Sequence, residues 1–118
     1  MHDSERVVMQ VACTDYDSGS KLVAAVLDNM AKLAGSDTAD VLAGHAESAF
    51  GWDFYPVAIS RAFVQRLASM PENDIWRMKG ANLDEKFAAW LNRQLKLRAE
   101  GVEVKLLSDL KSSRFGLF

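Results

Sequence analysis

The run FGWDFYP, residues 50–56, places Phe50, Trp52, Phe54 and Tyr55 within six positions, four of the chain's eleven aromatic side chains. Few folds accommodate such a run. In an extended stretch, alternation sends Trp52 and Phe54 to one side and Asp53 and Tyr55 to the other. All four rings then cannot face one small core. Gly51 breaks the pattern, and Pro56 suits the first residue of a following helix, where its missing N–H is no loss. The rings either plug the gap between two helices or keep some members outward as anchors for a partner. Large rigid aromatics dominate contact energies because they bury much area for little lost side-chain freedom. Phe50 and Phe54 are expected inward. Trp52 or Tyr55, whose indole N–H and hydroxyl tolerate a wet rim, is expected outward.

Around this run, apolar residues recur mostly at helical spacing. Ser20 opens a helix whose Leu22, Val23, Val26, Leu27, Met30, Leu33 and Ala34 share one face, with Gly35 as its C-cap. Ser36 or Asp37 caps a second helix, residues 37–50, with Leu42, His45, Ala46, Ala49 and Phe50 on one side. Its many small residues would let another backbone approach closely. A third helix runs from Pro56 with Ile59, Phe63, Val64 and Leu67 as its stripe. Pro71 starts a short segment ended by Gly80. Asn82 and Glu85 match a capping box that opens the longest helix, residues 83–100. Residues 7–11 and 102–106 read either as a two-stranded ladder or as helical turns.

The expected fold is therefore mainly α: one domain spanning residues 1–118, a compact bundle of four to five helices, with the short ladder 7–11/102–106 as an option. An apolar content of 49% fits a chain that buries a core. No apolar run reaches the ~18 residues of a membrane span. The N-terminal decapeptide lacks the pattern of a signal peptide, and Cys13 has no internal partner, so a cytoplasmic location is expected. Charge is split. Residues 1–59 carry three basic and nine acidic side chains, and residues 60–118 carry eleven basic and seven acidic. Such halves complement each other within one chain or across a dimer, or steer a charged partner.

Side chains able to do chemistry are few. Cys13 is the only cysteine and His45 the only internal histidine. Neither stands in a nucleophile motif, and an inert thiol and a bonded histidine on the apolar face of a helix are the simpler readings. No pair has structural-zinc spacing. The run from Asp15 resembles the start of a calcium loop but has Val26 where a glutamate is needed. No glycine-rich phosphate loop is present. Arg77, Lys79, Arg93, Lys96 and Arg98 give the second half a basic character, yet the chain is acidic overall and shows no nucleic-acid-binding signature. No cofactor, metal or catalytic residue is expected. The hydrophobic terminus RFGLF either docks on its own domain or crosses to another subunit.

In length, in the segments KLVAAVLDNMAKLAG and NLDEKFAAWLNRQLKLRAEG, and in the connection FGWDFYPVAISRAF, the chain resembles the small bacterial quorum-sensing antiactivators. The resemblance implies a protein that binds a LuxR-type transcription factor, keeps it from dimerising and so keeps it off DNA. It implies no cofactor and no catalysis. The residues themselves nominate Trp52, Phe54, Tyr55 and Phe118 as partner contacts and, with the small-residue helix and the RFGLF terminus, a homodimer. The alternatives are a small enzyme using Cys13 or His45, and a nucleic-acid-associated protein using the basic second half.

Overall fold

The segment RVVMQVAC departs first from the helical expectation. In the computed structural model, which describes residues 6–35 and 41–107, it forms strand β1, Arg6–Cys13, with Val7, Met9, Val11 and Cys13 buried. This is the period-2 pattern of a strand covered on one face. Helix α1, Tyr16–Leu33, follows. Next come β2, Val41–Ala43; β3, Glu47–Ala49; and β4, Trp52–Ser60. Helix α2, Arg61–Ala68, two short 3-10 turns at Pro71–Asn73 and Ile75–Arg77, helix α3, Leu83–Lys96, and strand β5, Val102–Leu106, complete the described chain.

The strands form one antiparallel sheet in the order β2–β4–β1–β5, with β3 also paired to β4. The mainly helical bundle is thus corrected to an α+β fold with a five-stranded sheet. The ladder that the sequence offered as an option forms, with β1 paired to β5 from Met9↔Leu106 to Cys13↔Val102. Buried residues of α1, α2 and α3 share a single core with Val7, Met9 and Val11 of β1, Tyr55, Val57 and Ile59 of β4, and the buried residues of β5. The helices therefore cover one face of the sheet.

Two expected helices are corrected. Over residues 37–50, the part described is a broken edge, β2 and β3, and residues 36–40, with the anticipated cap, lie outside the described residues. Small residues at mixed spacing suit either state, and pairing with β4 decides. The anticipated close-packed helical dimer face is removed with that helix. Pro56 does not start a helix but sits inside β4, opposite Gln10 of β1. Proline is tolerated there because of where its polar groups point. Its carbonyl accepts the Gly44 N–H at 2.9 Å, on the side where the chain breaks between β2 and β3. Its missing N–H thus falls at a gap in the ladder and leaves no donor orphaned. Gly44 is needed in return, since a Cβ there would lie 2.6 Å from Pro56 Cγ.

The first helix starts at Tyr16, before the expected Ser20, and the helix from Leu83 ends at Lys96 rather than near residue 100, so α1 is the longer; the cap at Asn82 and the stop at Gly35 hold. Asn82 caps α3, its side chain accepting the Glu85 N–H at 3.0 Å, while Glu85 reaches back to the Ala81 N–H at 3.3 Å. Gly35 takes φ +80 just past the end of α1. Strand β5, at the sheet's other edge, is protected by a side chain. Asn92 of α3 donates to the Val104 carbonyl at 2.8 Å and accepts the Val104 N–H at 2.7 Å. One amide thereby imitates a neighbouring strand and blocks pairing with another chain at that point.

Candidate interaction surface

The turn joining β3 to β4 is where the aromatic run resolves. Ala49 pairs with Trp52, leaving Phe50 and Gly51 as a two-residue loop with φ of +57 and +80. Positive φ at both central positions matches the twist of a tight hairpin. Glycine adopts it freely, but a bulky residue does so at a cost. Phe50 is also 84% exposed, so the inward placement expected for it is corrected.

Beyond the turn, β4 separates its side chains as alternation requires. Asp53 and Tyr55 face the helices, and Trp52 and Phe54 face away. The outward expectation for Tyr55 is corrected: it is 3% exposed, belongs to the core, and meets Tyr16 edge-on with ring centroids 5.3 Å apart. Burial pushes its phenol well above the usual range, helped by Cys13 and Tyr16. Phe54 points to the side of the sheet away from the helices and lies outside the main core, yet is buried, at 8% exposure. Trp52 is half-buried on that side. Phe118 and the RFGLF terminus lie outside the described residues.

Asp53, the polar member of the run, anchors this geometry. One carboxylate oxygen accepts the Tyr16 N–H at 2.9 Å, and the other accepts the Ser48 hydroxyl at 2.6 Å. The residue before α1, Asp15, makes no such cap bond itself. A carboxylate from β4 therefore supplies the N-terminal partner of α1, with the favourable dipole interaction such a position brings. It also ties β3 to the same point. The hairpin carrying Phe50 is thus pinned to the helical layer.

The register defines the outward face in rows. Leu42, Ala58 and Val8 lie across one row; Gly44, Pro56, Gln10 and Lys105 across the next; Glu47, Phe54, Ala12 and Glu103 across the third; Ala49 and Trp52 in the fourth. Strand β4 forms an apolar spine of Trp52, Phe54, Pro56 and Ala58. Leu42, 57% exposed, flanks it, and Phe50 extends it at the hairpin tip. Charged side chains stand at the margins. Ala12 and Phe54 on this face are buried, at 1% and 8% exposure, so its accessible apolar part is Leu42, Pro56, Phe50 and the outer portion of Trp52. Leu42 was hidden from sequence reading because it was assigned to a helix. Trp76, 59% exposed on a 3-10 turn, is a second outward aromatic, away from the run.

The chemical candidates do not converge. Cys13 is fully buried, and its thiol donates weakly to the Asp53 carbonyl at 3.7 Å. Burial raises its pKa, and Asp53 and Asp15 raise it further, the reverse of what activates a nucleophile. His45 stands exposed between β2 and β3, so the buried, helix-borne histidine is corrected. Among the described residues no three His, Cys, Asp or Glu side chains form a metal-binding group, and no helix is long and apolar enough to cross a membrane. Part of the basic charge is engaged locally. Arg61 pairs with Asp84, Arg77 with Asp74 at 3.4 Å, and Lys86 donates to the Met78 carbonyl at 2.9 Å. A groove of about 350 Å³ opens between α1 and the β2–β4 edge, walled by Val23, Leu27, Val41 and Val57, with Ser20 and Asp28 among its lining residues.

No protein-family model, curated protein or solved structure matches the chain.

Proposed function

We propose that this chain is a small non-enzymatic regulator that acts by binding another protein through the exposed hairpin tip at Phe50 and the accessible apolar residues beside it. Its target is a LuxR-type transcription factor, as the sequence resemblance implies, and binding would keep that factor from dimerising and from reaching DNA. The observation that carries the reading is Phe50. A phenylalanine held at φ +57 and 84% exposed is locally unfavourable twice, in backbone conformation and in hydration. Asparagine or glycine would make the same turn more readily. A contact made by the ring supplies the missing reason for it. Its placement beside the outer portion of Trp52, with Pro56 and Leu42 accessible further along, fits an anchor for a partner.

The enzyme alternative has less support, because the Cys13 thiol is buried and held protonated while His45 belongs to a different, exposed segment. The test is titration calorimetry of the purified protein against the ligand-binding domains of LuxR-type receptors from the same cell. Stoichiometric binding that weakens about thirtyfold or more in Phe50→Asn or Trp52→Ala supports the reading, since anchors typically cost ~2 kcal/mol or more on truncation. Absence of binding to every such receptor removes the proposed target. Binding unaffected by either substitution removes the proposed surface.

A further inference from the structure

On the helical side of the sheet, Tyr55 carries a polar group that the fold leaves unused. The residue is 3% exposed, and its ring packs edge-on against Tyr16. Its hydroxyl makes no hydrogen bond among the described residues, yet no fully enclosed polar side-chain atom among them goes without a partner. That oxygen is therefore not sealed in. It opens on the groove of about 350 Å³ that Tyr55 lines between α1 and the β2–β4 edge. Burial holds the phenol protonated, so it can both donate and accept a bond. A hydroxyl taken out of water without a partner costs stability, and a ligand atom in the groove would relieve that cost. The groove has the size of the smaller ligand sites. Its walls are apolar at Val23, Leu27 and Val57, and Asp28 is its only lining side chain charged at neutral pH. Lys32 and Arg98 line the adjoining hollow without forming an ion pair with Asp28.

We infer that this groove binds an amphipathic primary amine, with its ammonium at Asp28, its apolar chain along Val23, Leu27 and Val57, and a hydroxyl or carbonyl at the far end bonded to the Tyr55 hydroxyl. Charge complementarity selects the ammonium, because Asp28 attracts a cation and repels a carboxylate. The length follows from α1. Tyr16, beside Tyr55, and Asp28 stand twelve residues apart on that helix, about 18 Å at its usual rise. An extended eight-carbon chain with a polar atom at each end, plus a hydrogen bond of ~2.8 Å at each, reaches about 17 Å. Methylenes withdrawn from water supply most of the affinity, and Tyr55 and Asp28 decide which end groups are accepted. The groove is separate from the Phe50 hairpin, and neither proposal depends on the other.

Titration calorimetry of the full chain tests it with three matched eight-carbon probes: the α,ω-amino alcohol, octylamine and the ω-hydroxy acid. The amino alcohol should bind with a Kd below about 1 mM, and octylamine about fivefold more weakly for want of one hydrogen bond. The hydroxy acid should bind most weakly. Tyr55→Phe should reduce the amino alcohol to the affinity of octylamine and leave octylamine binding unchanged. Its thermal melt should be unchanged or slightly raised, since no intrachain bond is lost. A merely structural role for Tyr55 would weaken both amines alike. Asp28→Lys should reverse the preference, so that the hydroxy acid outbinds the amino alcohol. Asp28 is exposed, so this variant serves even if Tyr55→Phe folds poorly. Saturable binding of none of the probes, equal loss of both amines in Tyr55→Phe, or an unreversed preference in Asp28→Lys would each overturn the inference. Receptor titration with the Phe50 variant decides the hairpin surface separately.

Discussion

Replacing Gly19 by alanine sets two physical effects against each other. Gly19 lies within α1, and alanine is the better helix former there by about 1 kcal/mol. On propensity alone, Gly19→Ala stabilises. The packing opposes it. A Cβ at this position would stand 2.7 Å from Cys13 Cβ and 2.9 Å from its Sγ, where carbon atoms ordinarily approach to about 3.5–4.0 Å. Cys13 Cβ is fixed to β1, which is hydrogen-bonded on both sides, so it cannot yield. The first turn of α1 must lift by about 1 Å, stretching the Tyr16–Asp53 bond at its N-terminus. Overpacking of this kind costs ~1–3 kcal/mol. With the propensity gain subtracted, the net expectation is a loss of roughly 0–2 kcal/mol, centred near 1, which lowers Tm by up to several degrees in a domain of this size. Urea unfolding followed by circular dichroism reads it. Cys13→Ala in the same chain should recover only part of the loss, because it removes the sulfur and leaves the Cβ contact. A stabilised Gly19→Ala protein would refute the described seating of α1 on β1.

Phe50→Asn should raise stability by about 0.5–1 kcal/mol, since asparagine tolerates the left-handed turn, while weakening partner binding; thermal melts and calorimetry together check this opposition. Asn92→Ala should cost about 1–3 kcal/mol by leaving the Val104 edge groups without their partner, and light scattering should show increased association through β5. Cys13, its pKa raised by burial and by Asp53 and Asp15, should react with alkylating reagents only as fast as the protein opens. The folded state then binds the proton more tightly than the unfolded one. Stability is accordingly expected to be unaffected by this group below the unfolded thiol pKa, to fall as pH rises above about 9, and to lose that alkaline slope in Cys13→Ala. His45→Gln, at an exposed site, should change stability by less than about 0.5 kcal/mol in the same melts.

Much of this protein was written locally in its sequence. The stripe from Val23 to Met30 lies on a helix, Asn82 and Glu85 cap another, and Gly35 follows the end of the first. These features depend on neighbours within a turn or two of chain, so local pattern suffices to find them. Alternation around residue 53 likewise separated Trp52 and Phe54 from Asp53 and Tyr55, because side-chain direction in an extended stretch is a local property. What alternation could not supply was which side the helices would cover. That choice put Tyr55 in the core and left Trp52 outward, and it depends on β1, forty residues earlier in the chain. Pro56 shows the limit most clearly. By local rule a proline argues against a strand, and only the break between β2 and β3, with the Gly44 N–H bonded to its carbonyl, makes β4 admissible. Strands β2 and β3 are three residues each and carry no period of their own. They are strands because β4 offers them partners, and Phe50 is exposed because they pair. Local propensity shaped the helices; long-range backbone pairing shaped the sheet and, with it, the surface on which the proposed function rests.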